Sequence, residues 1–412
     1  MTIDPVAWKK KEKSMGDAEE RIRVSISTKE LERRWAAVRS AMDERKIDFL
    51  VMQNSNDLLQ GYVKWFTDTP AVNGYPTTVV FPKNEEMTVI NCGPWSSGPT
   101  DLSARDWAFR GVRKRLTAPY FPSLHYSCAY DAQLVAEELK PFKDCTIGLV
   151  GLGMMSVCFG DFLRSNINKA TFKDATDMVD QIKVVKSEEE IELIRETARI
   201  QDIAFEAAMK EVKPGKRDSE IAAVAQHVVQ DLGSEQQLIM PGSAPMGTPC
   251  VQLRRHFTNR VIQKGDQFSL MIEVNGPGGF YAELGRTMVL GKASDELVEA
   301  FEVAKEAQQA TLDLMRPGAD PKEIIQAHNE FLRGRGWPEE KRLYAHGQGY
   351  DLVERPAIRE DETMKLKANM NITVHPIVAS KTVFTWACDN YLITENGVSE
   401  CLHKTPKKIF EL

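Results

Sequence analysis

The alternation of apolar and polar residues divides the chain into two parts. In residues 26–175, amphipathic helical segments alternate with short β-branched segments. TKELERRWAAVRSAMDERK has apolar residues at helical spacing with Thr28 as its N-cap, whereas IDFLVMQ, TTVVFP, MTVINC and TIGLVGLG have the pattern of buried strands. This order predicts a small α/β domain with a mixed sheet.

The second part, residues 176–412, groups its helices in blocks between strands. DQIKVVKSEEEIELIRETARIQDIAFEAAMKEV begins with a predicted strand, and Ser187 with Glu190 then forms a capping box that starts a long helix. A further helix precedes strands at about 237–291, helices occupy about 294–336, and strands return near the C-terminus. Blocks of helices between antiparallel strands predict an α+β domain.

Length, composition and charge narrow the class of protein. The chain of 412 residues is too long for one ordinary core, and its 42% hydrophobic and 27% charged residues are typical of globular proteins. A formal net charge of -6 provides no basic surface for nucleic acid. No apolar run reaches the roughly 20 residues of a membrane-spanning helix. The charged N-terminal arm, residues 1–25, has no signal-peptide core. We therefore expect a cytoplasmic protein that binds neither nucleic acid nor membrane.

The cysteines give a further indication of the cellular compartment. There are seven of them, an odd number, and none forms a CxxC pair. This pattern predicts reduced thiols and argues against a disulfide framework or a structural zinc site. Most are expected to be small buried apolar residues.

The first candidate for chemistry is the segment IEVNGPGGFYAELGRT, a predicted strand, Gly/Pro turn and second strand. Glu273 and Glu283 occupy corresponding places on its two arms, and Glu273 lies in the otherwise apolar run FSLMIEV, where a charge needs a partner. Arg286 is a candidate partner for Glu283. Two facing carboxylates can hold a metal ion or share a proton, and the hairpin alone leaves this choice open.

Three later segments add imidazoles and further polar groups. YAHGQGYDLVERP places His346 between glycines and carries Glu354; NMNITVHPIVAS interrupts an apolar strand with His375; TWACDNYLITENG contains Cys388 and Asp389. Each is a weak signal taken singly, because a strand histidine is more often a core residue than a ligand. Together they predict carboxylates and imidazoles clustered on four strands of one antiparallel sheet, as a metal site or an acid–base site requires.

These four segments, in this order and spacing, resemble the pita-bread fold family. That family includes aminopeptidase P, prolidase, methionine aminopeptidase, creatinase, ectoine hydrolase and an iron-dependent dimethylsulfoniopropionate lyase. IKVVKSEEEIELIRETARIQDIAFEAA resembles the family's interdomain linker and first catalytic helix. The resemblance covers nearly the whole chain and implies a creatinase-type N-terminal domain (26–175) and a pita-bread catalytic domain (176–412) whose curved antiparallel sheet is covered by helices. It also implies a homodimer in which the partner's N-terminal domain completes each active site.

The chain departs from the metallopeptidases of this family at several ligand positions. Their two hairpin aspartates fall on Glu273 and Glu283, their histidine on His346, and their last two glutamates on His375 and Cys388. The hairpin is one residue shorter than in the peptidases, a spacing that resembles the lyase branch. Because two bridging metal ions need carboxylates that contact both ions, these replacements argue against a dinuclear peptidase.

The resemblance leaves the cofactor open between none and a single divalent ion of zinc, iron or manganese. Glu273, Glu283, His346 and His375 are the catalytic candidates, and the same four residues would hold one ion. Without metal, as in creatinase, a histidine would move a proton while a glutamate orients it or activates water.

A small-molecule substrate would contact residues outside this set. The candidates are His256, Glu354, Cys388, Asp389, Trp65, Phe66 and Tyr75. The last three belong to WFTDTPAVNGYPTT, which by resemblance lines the partner's pocket but lacks the arginine with which creatinase-like enzymes bind a substrate carboxylate.

The leading hypothesis is a hydrolase that cleaves an amide or amidine C–N bond of a small non-peptide substrate by carboxylate and histidine acid–base chemistry. A second peptidase histidine, which helps to bind the scissile peptide, falls on Val353 and argues against an ordinary peptidase. The alternatives are an Xaa-Pro type metallopeptidase with unusual ligands, a lyase that abstracts a proton in the same pocket, and a non-catalytic binding protein.

Overall fold

The first part of the chain is built around a seven-stranded mixed sheet. The computed structural model describes residues 23–55, 57–70, 74–94, 100–101, 109–252 and 259–412. The elements of the first part are α1 (Thr28–Arg45), β1 (Phe49–Asn54), α2 (Tyr62–Thr67), β2 (Thr77–Pro82), β3 (Met87–Cys92), β4 (Thr100–Asp101), β5 (Val112–Ala118), a 3-10 turn (His125–Ser127), α3 (Tyr130–Leu139), β6 (Thr146–Val150), α4 (Val157–Asn166), β7 (Thr171–Asp174) and α5 (Thr176–Lys183). The strand order is β4-β5-β3-β2-β1-β6-β7, with both parallel and antiparallel pairs. The predicted mixed sheet is confirmed.

Two local predictions in this part need correction. The N-cap of α1 is Ser27 rather than Thr28, because the Ser27 side chain accepts the Glu30 backbone N–H at 3.1 Å. The strand predicted at IKVV is wrong, since Ile182 and Lys183 end helix α5 and Val184 and Val185 follow it outside any strand. The apolar side chains of Met178, Val179 and Ile182 pack at helical spacing into the N-terminal core.

The second part contains two larger, mainly antiparallel sheets and a two-stranded sheet, with blocks of helices between their strands, as the α+β prediction requires. Its elements are α6 (Glu188–Glu211), α7 (Asp218–Asp231), β8 (Gln237–Pro245), β9 (Asp266–Asn275), β10 (Tyr281–Val289), α8 (Asp295–Leu314), α9 (Pro321–Gly334), β11 (Ala345–Gly347), β12 (Glu354–Ala357), β13 (Asn371–Val374), β14 (Ile377–Ala379), β15 (Phe384–Trp386), β16 (Asp389–Thr394), β17 (Gly397–Cys401) and β18 (Phe410–Glu411). The sheets are β18-β10-β9-β8, β12-β11-β13-β16-β17 and the two-stranded β14-β15. Only the β10–β18 pair of these sheets is parallel within the described residues.

Helix α6 positions the hairpin formed by β9 and β10. The predicted capping box is present at its start, where Ser187 and Glu190 exchange side-chain to backbone hydrogen bonds. Farther along the helix, the Gln201 amide donates to the backbone oxygens of Val274 and Ala282, one on each strand. These two acceptors are the chain neighbours of Glu273 and Glu283, so the helix holds both arms of the hairpin at the height of the two carboxylates.

Buried ion pairs join the two parts of the chain. The guanidinium of Arg34 on α1 donates to Glu190 on α6 at 2.8 Å, and neither side chain is exposed to solvent. In the described residues, the last strand of the N-terminal sheet ends at Asp174. The domain boundary at residue 175 stays a prediction. Most of the predicted N-terminal arm lies outside the described residues. Among the helices that are described, none has the length and apolar character needed to span a membrane.

The prediction of reduced cysteines is wrong for one pair. Cys128, which follows the 3-10 turn, forms a disulfide with Cys158 in the first turn of α4. The two residues are 30 positions apart in the chain, so no local spacing signals a pairing that the packing of two helices brings about. The other five cysteines are free thiols in the described part of the chain.

Candidate active site

The hairpin of β9 and β10 places its two carboxylates side by side. Glu273 and Glu283 are direct partners in the antiparallel register, and both are buried. Arg286 is not the partner of Glu283, because successive residues of a strand point to opposite faces and position 286 faces away from position 283. The Arg286 guanidinium instead donates to Asp389 at 2.7 Å on the other side of the sheet.

The two histidines come from the neighbouring five-stranded sheet. His346 lies on β11, and His375 directly follows β13, which is the antiparallel partner of β11. The hairpin sheet and this sheet are joined through a bridge in which Gly285 and Cys388 exchange backbone hydrogen bonds. The prediction of one sheet is therefore corrected to two adjoining sheets, while the predicted clustering of the side chains is present.

Three of the predicted residues form a compact group that can hold a metal ion. The Glu283 Oε2 atom lies 3.7 Å from His375 Nε2 and 4.0 Å from His346 Nε2, and all candidate ligand atoms lie within 4.8 Å of one another. The buried His375 Nε2 has no hydrogen-bond partner among the described residues. Two imidazoles and one carboxylate are a ligand set of catalytic zinc sites, which leave a further position open for water or substrate.

The Nδ1 atoms of the two imidazoles have opposite hydrogen-bond environments. His346 Nδ1 lies 3.0 Å from the Gly347 carbonyl, which can only accept, so this nitrogen carries the proton and Nε2 offers its lone pair. His375 Nδ1 lies 3.0 Å from Arg342 Nη2, which can only donate, so the proton of a neutral His375 is on Nε2.

This difference sets the condition under which a metal ion fits. A metal-binding imidazole presents a lone pair to the ion and a proton on its other nitrogen. His346 meets this requirement as it stands, and His375 meets it once the Arg342 guanidinium turns away from Nδ1. The Arg342 side chain is 42% exposed, so it has solvent to turn into. The donor set therefore fits one divalent ion, with Arg342 as the group that must move.

Burial dominates the electrostatics of the group. Burial, and then the neighbouring Glu283 carboxylate, raise the pKa of Glu273 well above its ordinary value. Burial also raises the pKa of Glu283. Burial lowers the pKa of His346 to about 4 and that of His375 well below its ordinary value, so both imidazoles are neutral near pH 7. A neutral imidazole is the form that can bind a metal ion.

Glu273 lies in hydrogen-bond contact with the Glu283 carboxyl group and is also held by a buried amide. Gln348 Nε2 donates to Glu273 Oε1 at 2.8 Å. The oxygen of the same Gln348 amide accepts from Asn390 Nδ2, also at 2.8 Å, and Asn390 donates in addition to Asn371 Oδ1 at 3.0 Å. The three amide side chains form a fully buried chain of hydrogen bonds beside the two carboxylates.

Cys388, the residue at the last predicted ligand position, contacts the hairpin through its thiol. Its Sγ lies 3.4 Å from the Glu283 backbone oxygen and 3.7 Å from Thr373 Oγ1. Complete burial, together with the nearby carboxylates, raises the pKa of this thiol far above its ordinary value. The group is therefore a protonated thiol that donates to the hairpin backbone, and not a thiolate ligand.

Asp389 and Glu354 are both held in buried ion pairs. Asp389 is fully buried against Arg286, and Glu354 lies between Lys183 and Lys186 at the junction of the two parts. These contacts occupy both carboxylates, although the charge of Glu354 still opposes the lowering of the His346 pKa by burial. Their predicted contact with a substrate stays a prediction without support from the geometry.

The aromatic candidates lie in the N-terminal part. Trp65 and Phe66 are inside its core, with no more than 1% of either residue exposed, so their predicted place on a surface that lines a partner's pocket is contradicted by their burial. Tyr75 is partly exposed and packs edge-on against Phe121 with ring centroids 6.0 Å apart. His256 lies outside the described residues.

Arg342, Gln348 and Asn390 were missed by the sequence analysis. A weak signal existed for Asn390, because it directly precedes the apolar run YLI in a predicted strand. Gln348 had a weaker signal as the one amide of the HGQGY turn. Arg342 had none, since its contact with His375 spans 33 residues and depends on how the strands pair.

Comparison with known proteins gives the family of this chain. The model of metallopeptidase family M24 matches residues 192–397, which is half of the chain. An Xaa-Pro dipeptidase of Pyrococcus furiosus is 28% identical over 309 residues, covering 70% of this chain and 85% of the relative. An uncharacterized hydrolase/peptidase of Sinorhizobium fredii is 24% identical over 401 residues, covering 92% and 95%.

Solved structures give the fold. The X-Pro aminopeptidase of Thermotoga maritima superposes with a TM-score of 0.75 at 20% identity, covering 92% of this chain and 99% of that one. This likeness confirms the predicted pita-bread architecture with its N-terminal domain, and the family match confirms an enzyme of the hydrolase class. The chain belongs to metallopeptidase family M24.

Proposed function

We propose that this chain is an amide hydrolase of the Xaa-Pro dipeptidase type that works with a single divalent metal ion. The observation that carries the proposal is the group formed by Glu283, His346 and His375, whose ligand atoms lie within 4.8 Å of one another. A divalent ion bound there would polarise the scissile carbonyl and lower the pKa of a water molecule. The names of the relatives support a peptide substrate better than the non-peptide substrate of our leading sequence-based hypothesis.

The residues around this group supply binding and proton transfer. The charge of a bound ion would lower the pKa of Glu273, and the ionised carboxylate would then take the proton of the attacking water and pass it to the departing amine nitrogen. The four polar side chains are each buried, which keeps bulk water out. Leu238, the strand partner of Glu273, and Ile377, two residues after His375, are partly exposed members of an apolar cluster and give the substrate's apolar part a surface to contact.

A second ion has no comparable place in this arrangement. Glu273 already accepts a hydrogen bond from Gln348, and the position of the last family glutamate carries the protonated thiol of Cys388. Two ions need carboxylates that contact both of them, and in the described part of this pocket His375 and Cys388 stand where the metallopeptidases have their last two glutamates. These observations support one ion for each chain.

The test combines metal analysis with hydrolysis assays. We expect the purified protein to hold one zinc, iron or manganese ion and to cleave Ala-Pro or Leu-Pro, and we expect a chelator to abolish the activity. His375→Ala should lose both the ion and the activity, whereas His125→Ala, which removes an exposed histidine of the 3-10 turn, should lose neither. Two ions in each chain, or failure to cleave any dipeptide while creatine or an N-acyl amino acid is cleaved, would refute the proposal.

The contact between Arg342 and His375 favours a second candidate, hydrolysis without metal. As long as Arg342 donates to Nδ1, the proton of His375 sits on Nε2, 3.7 Å from Glu283 Oε2, where it can donate a hydrogen bond to a substrate carbonyl oxygen while a carboxylate activates water. Metal-free protein with chelator-resistant hydrolysis would establish this candidate. The lyase alternative, the homodimer and the cytoplasmic location stay predictions.

A further inference from the structure

We propose that Gln348 is a positioning residue that keeps the Glu273 carboxyl group out of the metal-ligand set. Glu273 is thereby reserved for proton transfer, and the site takes one ion. This inference rests on the proposed function and adds to it the residue that separates the ligands from the base. It concerns an amide that itself touches neither the three ligand residues nor, by the proposed mechanism, the reacting atoms.

The orientation of the Gln348 amide follows from a backbone hydrogen bond. The Glu283 backbone N–H donates to Asn390 Oδ1 at 2.7 Å, so the NH2 group of Asn390 must point the other way. That NH2 group faces the oxygen of Gln348, and the NH2 group of Gln348 therefore faces Glu273. The hydrogen-bond donor at Glu273 is thus determined by the strand that carries Glu283.

The Gln348 side chain has no freedom to release Glu273. Its Nε2 donates to Glu273 Oε1 and to the Leu352 carbonyl oxygen, which uses both of its N–H groups. Turning the amide over would place NH2 against NH2 at Asn390 and would leave Glu273 Oε1 facing an oxygen. Because Gln348 and Asn390 are both fully buried, no water can replace the lost partners.

The network also couples the two carboxylates geometrically. Asn390 contacts the backbone of Glu283 and the side chain of Gln348, and Asn371 adds a third amide that accepts from Asn390 and donates to the Gln348 backbone oxygen. One rigid polar chain therefore holds the backbone of the ligand Glu283 and the side chain of Glu273. Removing the amide at position 348 would free Glu273 to turn towards the ion as an additional ligand.

The variant Gln348→Leu tests this arrangement, with Gln267→Leu as its matched control. Gln267 lies on β9, the strand of Glu273, and is another buried amide that donates to two backbone oxygens, but it touches no carboxylate. We expect kcat for Leu-Pro to fall about 10–100-fold in Gln348→Leu. Its metal dissociation constant, measured by competition with a chromophoric chelator, should stay unchanged or become smaller. Gln267→Leu should lower the melting temperature by a similar amount and leave kcat unchanged.

Two results would overturn the inference while the proposed function stands. An amide that supports a metal ligand should weaken metal binding by about 10–100-fold when it is removed, so such a loss in Gln348→Leu would make Glu273 a ligand. A kcat equal to that of Gln267→Leu would leave Gln348 without a role in positioning.

A structural measurement on the unaltered protein decides the question if Gln348→Leu does not fold. In a crystal structure of the zinc- or cobalt-loaded protein, we expect Glu273 to remain on Gln348 and outside the metal's ligand shell. A Glu273 oxygen bound to the ion would overturn the inference alone. A protein that takes up no ion would overturn the single-metal function and the inference with it.

Discussion

The carboxylate of Glu354 offers a direct test of how the two parts of the chain are held together. It lies between the ammonium groups of Lys183 and Lys186, accepting from Lys183 at 2.8 Å and from Lys186 in an equally direct contact. Lys183 also pairs with Asp351, whose second oxygen accepts the Gly61 backbone N–H at 2.7 Å. All four charged side chains are buried. Glu354 therefore belongs to a network of ion pairs that lies between the two parts and is shielded from solvent.

The variant Glu354→Gln keeps the shape of this side chain and removes its charge. Lys186 then loses its carboxylate, and Lys183 retains only Asp351. Removing one partner of a buried ion pair leaves an uncompensated charge and costs about 3–5 kcal/mol. We therefore expect the free energy of unfolding at pH 7 to fall by that amount.

The direction in which this loss of stability changes with pH follows from the pKa of Glu354. Burial alone would raise the pKa of Glu354, but the attraction of Lys183 and Lys186 outweighs it and lowers the pKa below the ordinary 4.5. A carboxyl group whose pKa is lowered by folding stabilises the folded state above its unfolded pKa, and this contribution disappears as the pH falls through the folded pKa. The difference between wild type and Glu354→Gln should therefore be largest above pH 4.5 and shrink in more acidic solution.

The assay is urea unfolding of both proteins from pH 7 to pH 3, followed by fluorescence and by residual activity. Asp361→Asn is the control, because it removes the same charge from an exposed pair with Arg359 and should leave stability unchanged. The reasoning is refuted if Glu354→Gln is as stable as wild type at pH 7. A raised KM with unchanged stability would instead place Glu354 in contact with the substrate, as the sequence analysis predicted.

Two further predictions concern the contact between the sheets. Gly285→Ala would place a methyl carbon 2.1 Å from the buried ring of Trp386, so we expect a loss of about 1–3 kcal/mol or more in urea unfolding. Burial opposes ionisation of Asp389, but Arg286 outweighs it and lowers the pKa of Asp389 to about 2 from the ordinary 3.8. This shift stabilises the folded state by about 2 kcal/mol above pH 3.8. The contribution should disappear as the pH approaches 2, and acid unfolding of Asp389→Asn should lack it.

The structural features that could be predicted from the sequence depend on residues close together in the chain. The capping box of Ser187 was predictable because its two residues are three positions apart. The facing of Glu273 and Glu283 was predictable because a short turn between two apolar strands determines their register. In both cases the physical cause lies within one local element, and the pattern of residues contains it.

The features that were missed depend on packing between distant elements. The disulfide of Cys128 and Cys158 requires the turn before one helix to meet the start of another. Helix α5 includes the first two residues of the predicted strand IKVV, and it is selected because Met178, Val179 and Ile182 pack into the N-terminal core. β-branched residues favour a strand locally, and here tertiary packing outweighs that preference.

The chemistry of the site depends on the same distant contacts. The sequence supplies two histidines that look equivalent, but the partner of each Nδ1 atom makes them different, a carbonyl for His346 and a guanidinium for His375. Two carboxylates that look equivalent are separated in the same way, since Gln348 donates to Glu273 alone. Each difference follows from whether the neighbouring group can donate or only accept a hydrogen bond. The surrounding amides and one arginine therefore determine which residue in this pocket is ligand, base or proton donor. The identities of the residues at the ligand positions are not sufficient to predict these roles.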